Sequence, residues 1–501
     1  MRPAWRKGLM ILLATSMFAA LLSACSSGSN ETAEKSVLRV GVLYGGSDNE
    51  PWIRQQYTDM YEMMNPNVEF EFVSAINYDD QRYEQQDPKN PKKQPDPFEK
   101  MKEMLTGDNP VDMILNVDYN MLKRLTQDNL LLQLDPLITK DKFDISDYVP
   151  TVIDGIKAAG DNNIYALTPT FNSSALYYNK KIFQDAGQPV PTDKMTWDEV
   201  LNLAKLVTKP GGEKPTYGFS FNRWVQDPYS DSQIYAAPKQ LKMWDDKGEK
   251  MLVNTPEWEK VWSTVAQLYK DKVVPSQEDM NKIYEKQSAA GSDMPYNPLQ
   301  GDLFLNGQVA MTIAEYSYMN ELKRAADNAS KIKDFTPVDW DVVTVPVDSA
   351  NPEVGGNIYL SQLMAINAKA QNSDDAWKFI KFTNSKEWAK LKARSVYEMV
   401  ARKEFLKPAE GLTFNMDAFT TLKPLPPQST DQEKLFREKP GIYEAQQPAY
   451  ELFQEVLKDT KTAKEALAEW ETKGNVALEK LKTNPNGSMG EGGEGVPRPL
   501  G

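Results

Sequence analysis

The sequence predicts an α/β fold with chain enough for two or more lobes. Three observations carry this. The length, 501 residues, supports more than one sizeable core. Apolar runs of strand length alternate with amphipathic helices from Val37 onward, the order of a mostly parallel sheet covered on both faces. The stretch Tyr165 to Val207 then shows one full cycle of the pattern: extended segment, loop, strand, two helices.

In chain order, Val37 to Leu43 is a strand ending in Tyr44-Gly45-Gly46, and Pro51 to Met64 is a helix. Val68 to Val73 and Val111 to Val117 are strands, while Phe98 to Leu105 and Asn120 to Gln127 are helices. Asn77 to Pro97, charged and broken by prolines, reads as a surface insertion. Ligands bind beyond the carboxyl ends of strands in such sheets, which points to Tyr44–Asp48 and Asn116–Asn120. Asn172-Ser173-Ser174 reads as a loop, Ala175 to Tyr178 as a buried strand, and Lys180 onward as a helix closed by Gly187. Thr196 and Glu199 have the spacing of a capping box ahead of Val200, Leu203, Ala204 and Val207. Thr255-Pro256 opens a helix whose stripe, Trp258, Val261, Trp262, Val265, Leu268 and Tyr269, is assigned to the core. Further expectations are a helix at Leu303–Asn306, strands at Val309–Ile313 and Trp340–Pro346, and a helix capped by Ser373. Two last helices are expected at 445–457 and 463–481, and then a disordered glycine- and proline-rich end.

Lys and Arg number 58 against 71 Asp and Glu, a net charge of −13, so nucleic acid is not an expected partner. The chain has no histidine, which removes the commonest general base and metal ligand; no metal or cofactor is expected. Arg2, Arg6 and Lys7 precede an apolar run, Leu9 to Leu22, too short for a comfortable membrane span. It ends Leu22-Ser23-Ala24-Cys25 at the chain's single cysteine. This resembles the lipobox of bacterial lipoproteins and implies a lipid on Cys25 after cleavage, the alternative being a plain secretory signal. Ser26 to Lys35 reads as a flexible tether.

The order Leu176-Tyr177-Tyr178-Asn179-Lys180, Phe183, Gly187, Pro191, Thr196-Trp197-Asp198-Glu199 resembles the bacterial extracellular solute-binding proteins, the family that includes maltose-binding protein. So do Phe304, Gly307 and Ala310-Met311, and the helix around Ala376-Trp377-Lys378-Phe379-Ile380. The resemblance covers roughly residues 36 to 482. It implies a two-lobed periplasmic-binding-protein-like fold, each lobe a mostly parallel sheet flanked by helices, joined by hinge crossings. The divisions implied are 1–24 signal, 25–35 tether, 36–170 with 346–396 lobe 1, 171–345 with 397–482 lobe 2, and 483–501 tail. A third crossing is expected near Val396–Val400. The implied function is capture of a solute outside the cell and delivery to the permease subunits of an ABC importer. The protein would be a monomer held on the membrane by its lipid, without covalent chemistry.

Site residues follow from the same resemblance. Asn172 stands where the relative has an acidic sugar contact. Gln226-Asp227-Pro228-Tyr229 is similar to its acidic-Pro-Tyr segment, which places Asp227 and Tyr229 on the ligand. Asn116, Asp118, Tyr316 and Tyr443 fall near its remaining contact positions. Position after strand one adds Tyr44 and Asp48, and Trp224, in no helical stripe, is read as a ligand platform. Asp118 has a plainer reading as a helix cap, and Asp227-Pro228 as a turn. Aromatics in loops suit an oligosaccharide, whose C–H faces stack on rings while hydroxyls take amides and carboxylates. An anionic ligand would need a clamping arginine, for which Arg223 is the candidate. The alternatives are another solute or a sensor co-receptor, and a glycoside hydrolase using Asp118 and Asp227.

Overall fold

The structure, a computed structural model, describes residues 35–82, 95–212, 214–289, 298–333, 335–356, 358–360, 362–394, 397–408, 410–426 and 429–487. Cys25, the segments expected to be leader and most of the tether, the centre of the expected 77–97 insertion and the residues beyond 487 lie outside them. In chain order the strands are β1 (Ser36–Gly45), β2 (Val68–Asn77), β3 (Met113–Val117), β4 (Ala166–Leu167), β5 (Thr170–Asn179), β6 (Met311–Glu315), β7 (Trp340–Val343), β8 (Ile358–Tyr359), β9 (Leu363–Ile366) and β10 (Met399–Val400).

The first sheet has the order β2-β1-β3-β9-β4. β1 runs parallel to β2 and β3, and β9 runs against both its neighbours. In the second sheet β5 runs against β6 and β7, while Tyr217 and Ser220 bridge in parallel to Val309 and Thr312 on the far side of β6. Each sheet therefore holds one reversed strand, and in each it is the strand that arrives from the other lobe. Entry across the hinge dictates the reversal, and the remaining strands keep a common direction.

β5 joins the lobes. Its first residues, Thr170 and Phe171, pair with Val400 and Met399; Asn172 and Ser173 pair with Tyr359 and Ile358. Its second half, Ser174 to Asn179, lies in the second sheet. Asn172-Ser173-Ser174 is thus continuous strand, not a loop, because backbone partners from distant segments complete its ladder. Successive side chains then serve opposite faces. Ala175 and Tyr177 enter one hydrophobic core, shared with the first lobe, and Leu176 and Tyr178 enter the other. Burial on both faces explains the unbroken apolar run.

Local rules hold around it. Helix Lys180–Ala186 ends on Gly187 at φ 63°, and Thr196 and Glu199 exchange both bonds of a capping box ahead of helix Trp197–Val207. Trp258 and Trp262 are core, with Trp262 stacked on Trp470 of helix Ala463–Leu481 at 5.4 Å. Trp244, unplaced by the sequence, is also buried.

Further expectations shift, among them the cap of helix Ser373–Thr383, which is Asn372 and not Ser373. Leu303–Asn306 forms turns, not a helix. Trp340–Val343 stays in the second sheet on β5, so the return to the first lobe falls at β8, after 346. β10 is at the expected third crossing, but Arg402 beyond it is anchored in the first lobe, donating to the carbonyls of Asn384 and Asp144. The chain reaches the second lobe by Phe414, whose ring lies 5.4 Å from Trp340. Residues 484–487, expected to be disordered, form a turn against Gly441, whose N–H donates to the Pro485 carbonyl at 2.9 Å.

Gly218 packs where helix Trp197–Val207 meets the sheet. A Cβ there would lie 2.0 Å from the Ala204 carbonyl oxygen and 2.7 Å from Thr208 Oγ1. Gly218→Ala is expected to destabilise by roughly 1–3 kcal/mol, the usual cost of overpacking. Chemical denaturation would test this, and an unshifted midpoint would refute the close approach.

Candidate ligand-binding cleft

The carboxyl ends of β1, β2 and β3 face the hinge from the first lobe. Tyr44 ends β1 exposed, its ring stacked on Tyr78 at 5.9 Å and 5°. Asp48 pairs with Arg82 at 2.5 Å, and Ser47 N–H donates to Asp79 at 2.7 Å. Asn116 ends β3 in the left-handed region at φ 57°, which asparagine tolerates. Its Oδ1 is buried without a hydrogen bond of ordinary geometry, beside the buried Tyr57 hydroxyl. Asp118 accepts from the Asn120 and Met121 N–H groups, both at 2.9 Å, and so caps helix Tyr119–Gln127.

The hinge forms the floor. Thr170 Oγ1 donates to Gln362 Oε1 at 2.6 Å, and Gln362 Nε2 donates to Glu398 Oε1. One glutamine side chain thereby links all three chain segments that meet at the hinge. Asn172 is half-buried opposite the exposed Tyr359. Tyr359's hydroxyl is held above its ordinary pKa by desolvation and then by the nearby Glu315 carboxylate at the end of β6. Burial depresses the Lys392 amine, which Glu398 opposes; it donates to Gln56 at 3.0 Å.

The second lobe contributes the loop after Phe221. Trp224 is half-exposed, as a platform requires. Arg223 Nε donates to Asp302 Oδ2 at 2.7 Å, and its guanidinium lies over the Trp224 and Tyr318 rings at 4.7 and 4.5 Å. Asp227 caps helix Pro228–Ala236 through Ser230 N–H at 3.0 Å.

Three expected contacts are displaced. Tyr229 is 1% exposed, packed among Trp262, Tyr450, Phe453 and Trp470, with its hydroxyl accepting from Gln446 Nε2 at 3.0 Å. It is a core residue: helix Pro228–Ala236 buries Tyr229, Ser232, Tyr235 and Ala236 along one side. Tyr316 is buried edge-on against Phe419 at 5.4 Å. Tyr443 stacks on Phe436 at 5.5 Å, in a cluster with Trp244 rather than at the strand ends. Residues at the hinge or beside Tyr44 that were not named in advance are Tyr78, Tyr359, Gln362 and Glu398. Among the described residues no group of three or more Asp, Glu, Cys or His could hold a metal ion.

Two sheets, each with one reversed strand and both joined through β5, define the two-lobed α/β architecture of the periplasmic binding proteins. The chain belongs to the bacterial extracellular solute-binding proteins, whose family model matches residues 57–390. A binding protein of Brucella abortus (strain 2308) is 25% identical over 276 residues, 55% of this chain and 58% of the relative. The sn-glycerol-3-phosphate-binding periplasmic protein of the same strain is 25% identical over 139 residues, 26% of this chain and 30% of that one. The chain thus spans less than two thirds of the length of either relative. Among solved structures, a sugar transporter from Rhizobium etli in an open conformation aligns with TM-score 0.55 at 18% identity, over 87% of this chain and 98% of that one. The sugar-binding protein MalE from Xanthomonas citri aligns with TM-score 0.54 at 14% identity, over 89% and 98%. These likenesses establish the fold.

Beneath the Trp224 loop lies Asp231, 3% exposed. Burial pushes its carboxyl up to about 7, against the pull of the Tyr269 hydroxyl, which donates at 2.6 Å. The unfolded chain ionises this group near its ordinary pKa, so stability is full below about 4 and falls as pH rises to about 7. Asp231→Asn is expected to remove that slope, worth roughly 4 kcal/mol across the window. Denaturation at pH 5 and pH 8 would show it; equal slopes in both proteins would exclude a neutral buried carboxyl. In the same assay Tyr229→Ala should cost about 3–5 kcal/mol, as large core truncations do.

Proposed function

We propose that the chain captures an oligosaccharide in the cleft between its lobes, closes on it at the β5 hinge, and passes it to an ABC permease at the outer face of the cell membrane. The observation that carries this reading is the set of exposed aromatics on hinge-side segments of the two lobes: Tyr44 stacked on Tyr78 beyond β1, Tyr359 opposite Asn172 in the hinge strand, and Trp224 in the loop after Phe221. Rings offer stacking faces, and Asn172, Glu315 and Glu398 supply the hydrogen-bonding partners that hydroxyls need. Sugar-binding neighbours in the structural comparison support it. The glycerol-phosphate-binding relatives favour a second reading, a phosphorylated polyol.

Catalysis is disfavoured. Asp118 and Asp227, the carboxylate pair a hydrolase would use, are each engaged as helix caps. A lipid on Cys25 would hold the protein at the surface, and two acyl chains suffice for stable anchoring. Among the described residues no helix is long and apolar enough to cross a membrane.

Thermal-shift screening against gluco-, manno-, galacto- and xylo-oligosaccharides tests the ligand class; a binder at a hundredfold excess over Kd adds about 2.7 kcal/mol. Small-angle scattering should show a smaller radius when that ligand is bound, and an unchanged profile at saturation would refute closure. Trp224→Ala should weaken binding by roughly 1–3 kcal/mol without lowering the melting temperature of the free protein. Cys25→Ser should shift the protein from membranes to the medium.

A further inference from the structure

Arg223 was the residue an anionic ligand would require, and its surroundings argue the opposite. Its partner Asp302 is 1% exposed. That carboxylate accepts from Arg223 Nε at 2.7 Å, from the Tyr318 hydroxyl at 2.7 Å and from the Leu305 N–H at 2.9 Å. Three donors fix it, and it cancels the guanidinium charge at contact distance. The guanidinium plane is in turn gripped by the faces of Trp224 and Tyr318. Its side chain remains 27% exposed. Among the described residues the two terminal nitrogens make no hydrogen bond, so their donors are open to a ligand. The result is a rigid, planar, charge-cancelled fork beside a half-exposed indole.

The remaining charges near the hinge are mostly carboxylates. Glu315 is exposed at the end of β6, next to Tyr359, and Glu398 accepts from Gln362 on the floor. Both would repel an anion and accept from hydroxyls. On the first lobe's side, Lys392 is half-buried and already donates to Gln56, and Arg82 is paired with Asp48.

We infer that Arg223 is a specificity-determining residue that donates its two terminal nitrogens to neighbouring hydroxyls of an uncharged saccharide beside Trp224, and that Asp302 makes the site discriminate against the acidic counterpart. This rests on the saccharide reading above and decides between neutral and anionic members of that class. A planar fork spans two adjacent oxygens, which a single ammonium cannot do. An ion pair closed within the protein leaves no net charge for a carboxylate or phosphate to meet.

The test uses the full-length chain with three probe sets in parallel: neutral gluco- and xylo-oligosaccharides, oligogalacturonates, and glycerol phosphate. A neutral probe is expected to raise the melting temperature, while oligogalacturonates and glycerol phosphate do not. By calorimetry its affinity should change less than twofold between 50 and 500 mM salt, because screening has no net charge to act on. Arg223→Lys and Arg223→Gln should each weaken it at least tenfold, with melting of the free protein unchanged for the lysine variant. Binding of oligogalacturonate or glycerol phosphate, with affinity falling several-fold as salt rises, would overturn the inference and leave the cleft intact as a binding site. So would a lysine variant that melts several degrees earlier yet binds the neutral probe normally. If no saccharide binds and a non-sugar solute does, the saccharide reading itself falls.

Discussion

One ten-residue strand sets the terms for the whole molecule. β5 supplies the second sheet with its reversed strand, pairs with the chain returning at β8, and holds β10 at the hinge. Its second half is buried on both faces, so its register is fixed twice over: a slip by one residue would exchange Tyr177 with Tyr178 between two different cores. Its first half is thinner. There it carries two pairs to β10 and two to β8, with Gln362 joining Thr170 and Glu398 across the hinge. A strand clamped at one end and lightly laddered at the other concentrates bending in the light part, which is where a hinged clamp must move.

The same asymmetry explains which parts of the structure were legible in the sequence. Capping boxes, a left-handed glycine and helical stripes are local statements, and Thr196, Gly187 and the Trp258–Tyr269 helix read correctly from neighbours alone. The hinge is built from contacts between residues far apart in the chain, Thr170 with Gln362 and Gln362 with Glu398. No periodicity within one segment records such pairs. That is why Asn172–Ser174, polar and short, looked like a loop, and why both later crossings were placed too early along the chain.

The aromatics divide on a finer point. Trp224 and Tyr229 are five residues apart in one irregular-looking stretch, yet one is half-exposed and the other sealed among Trp262, Phe453 and Trp470. The segment around Pro228 was read, by resemblance, as placing Tyr229 on the ligand, with a turn at Asp227-Pro228 as the plainer alternative. Pro228 instead opens a helix capped by Asp227, and helix formation turns the very next side chain inward. Asp-Pro followed three residues later by Asp231, and then by Tyr235, was the available signal: an N-cap, a first-turn acid and an inward stripe. The likeness to a ligand-touching motif in the family outweighed it.

Charge in the cleft is managed by pairing rather than by excess. Asp48 meets Arg82, Asp302 meets Arg223, and the caps absorb Asp118 and Asp227. The Arg223–Asp302 pair is the informative one, because a buried ion pair commonly breaks even, or worse, against apolar residues of similar volume. Stability alone therefore gives little reason to keep it. Its energetic logic is orientation: Asp302, fixed by Tyr318 and the Leu305 N–H, spends its charge on aiming one planar group that solvent still reaches. A donor aimed this way is ordered before ligand arrives, and with its charge already met by Asp302 it suits uncharged hydroxyls rather than a carboxylate or phosphate.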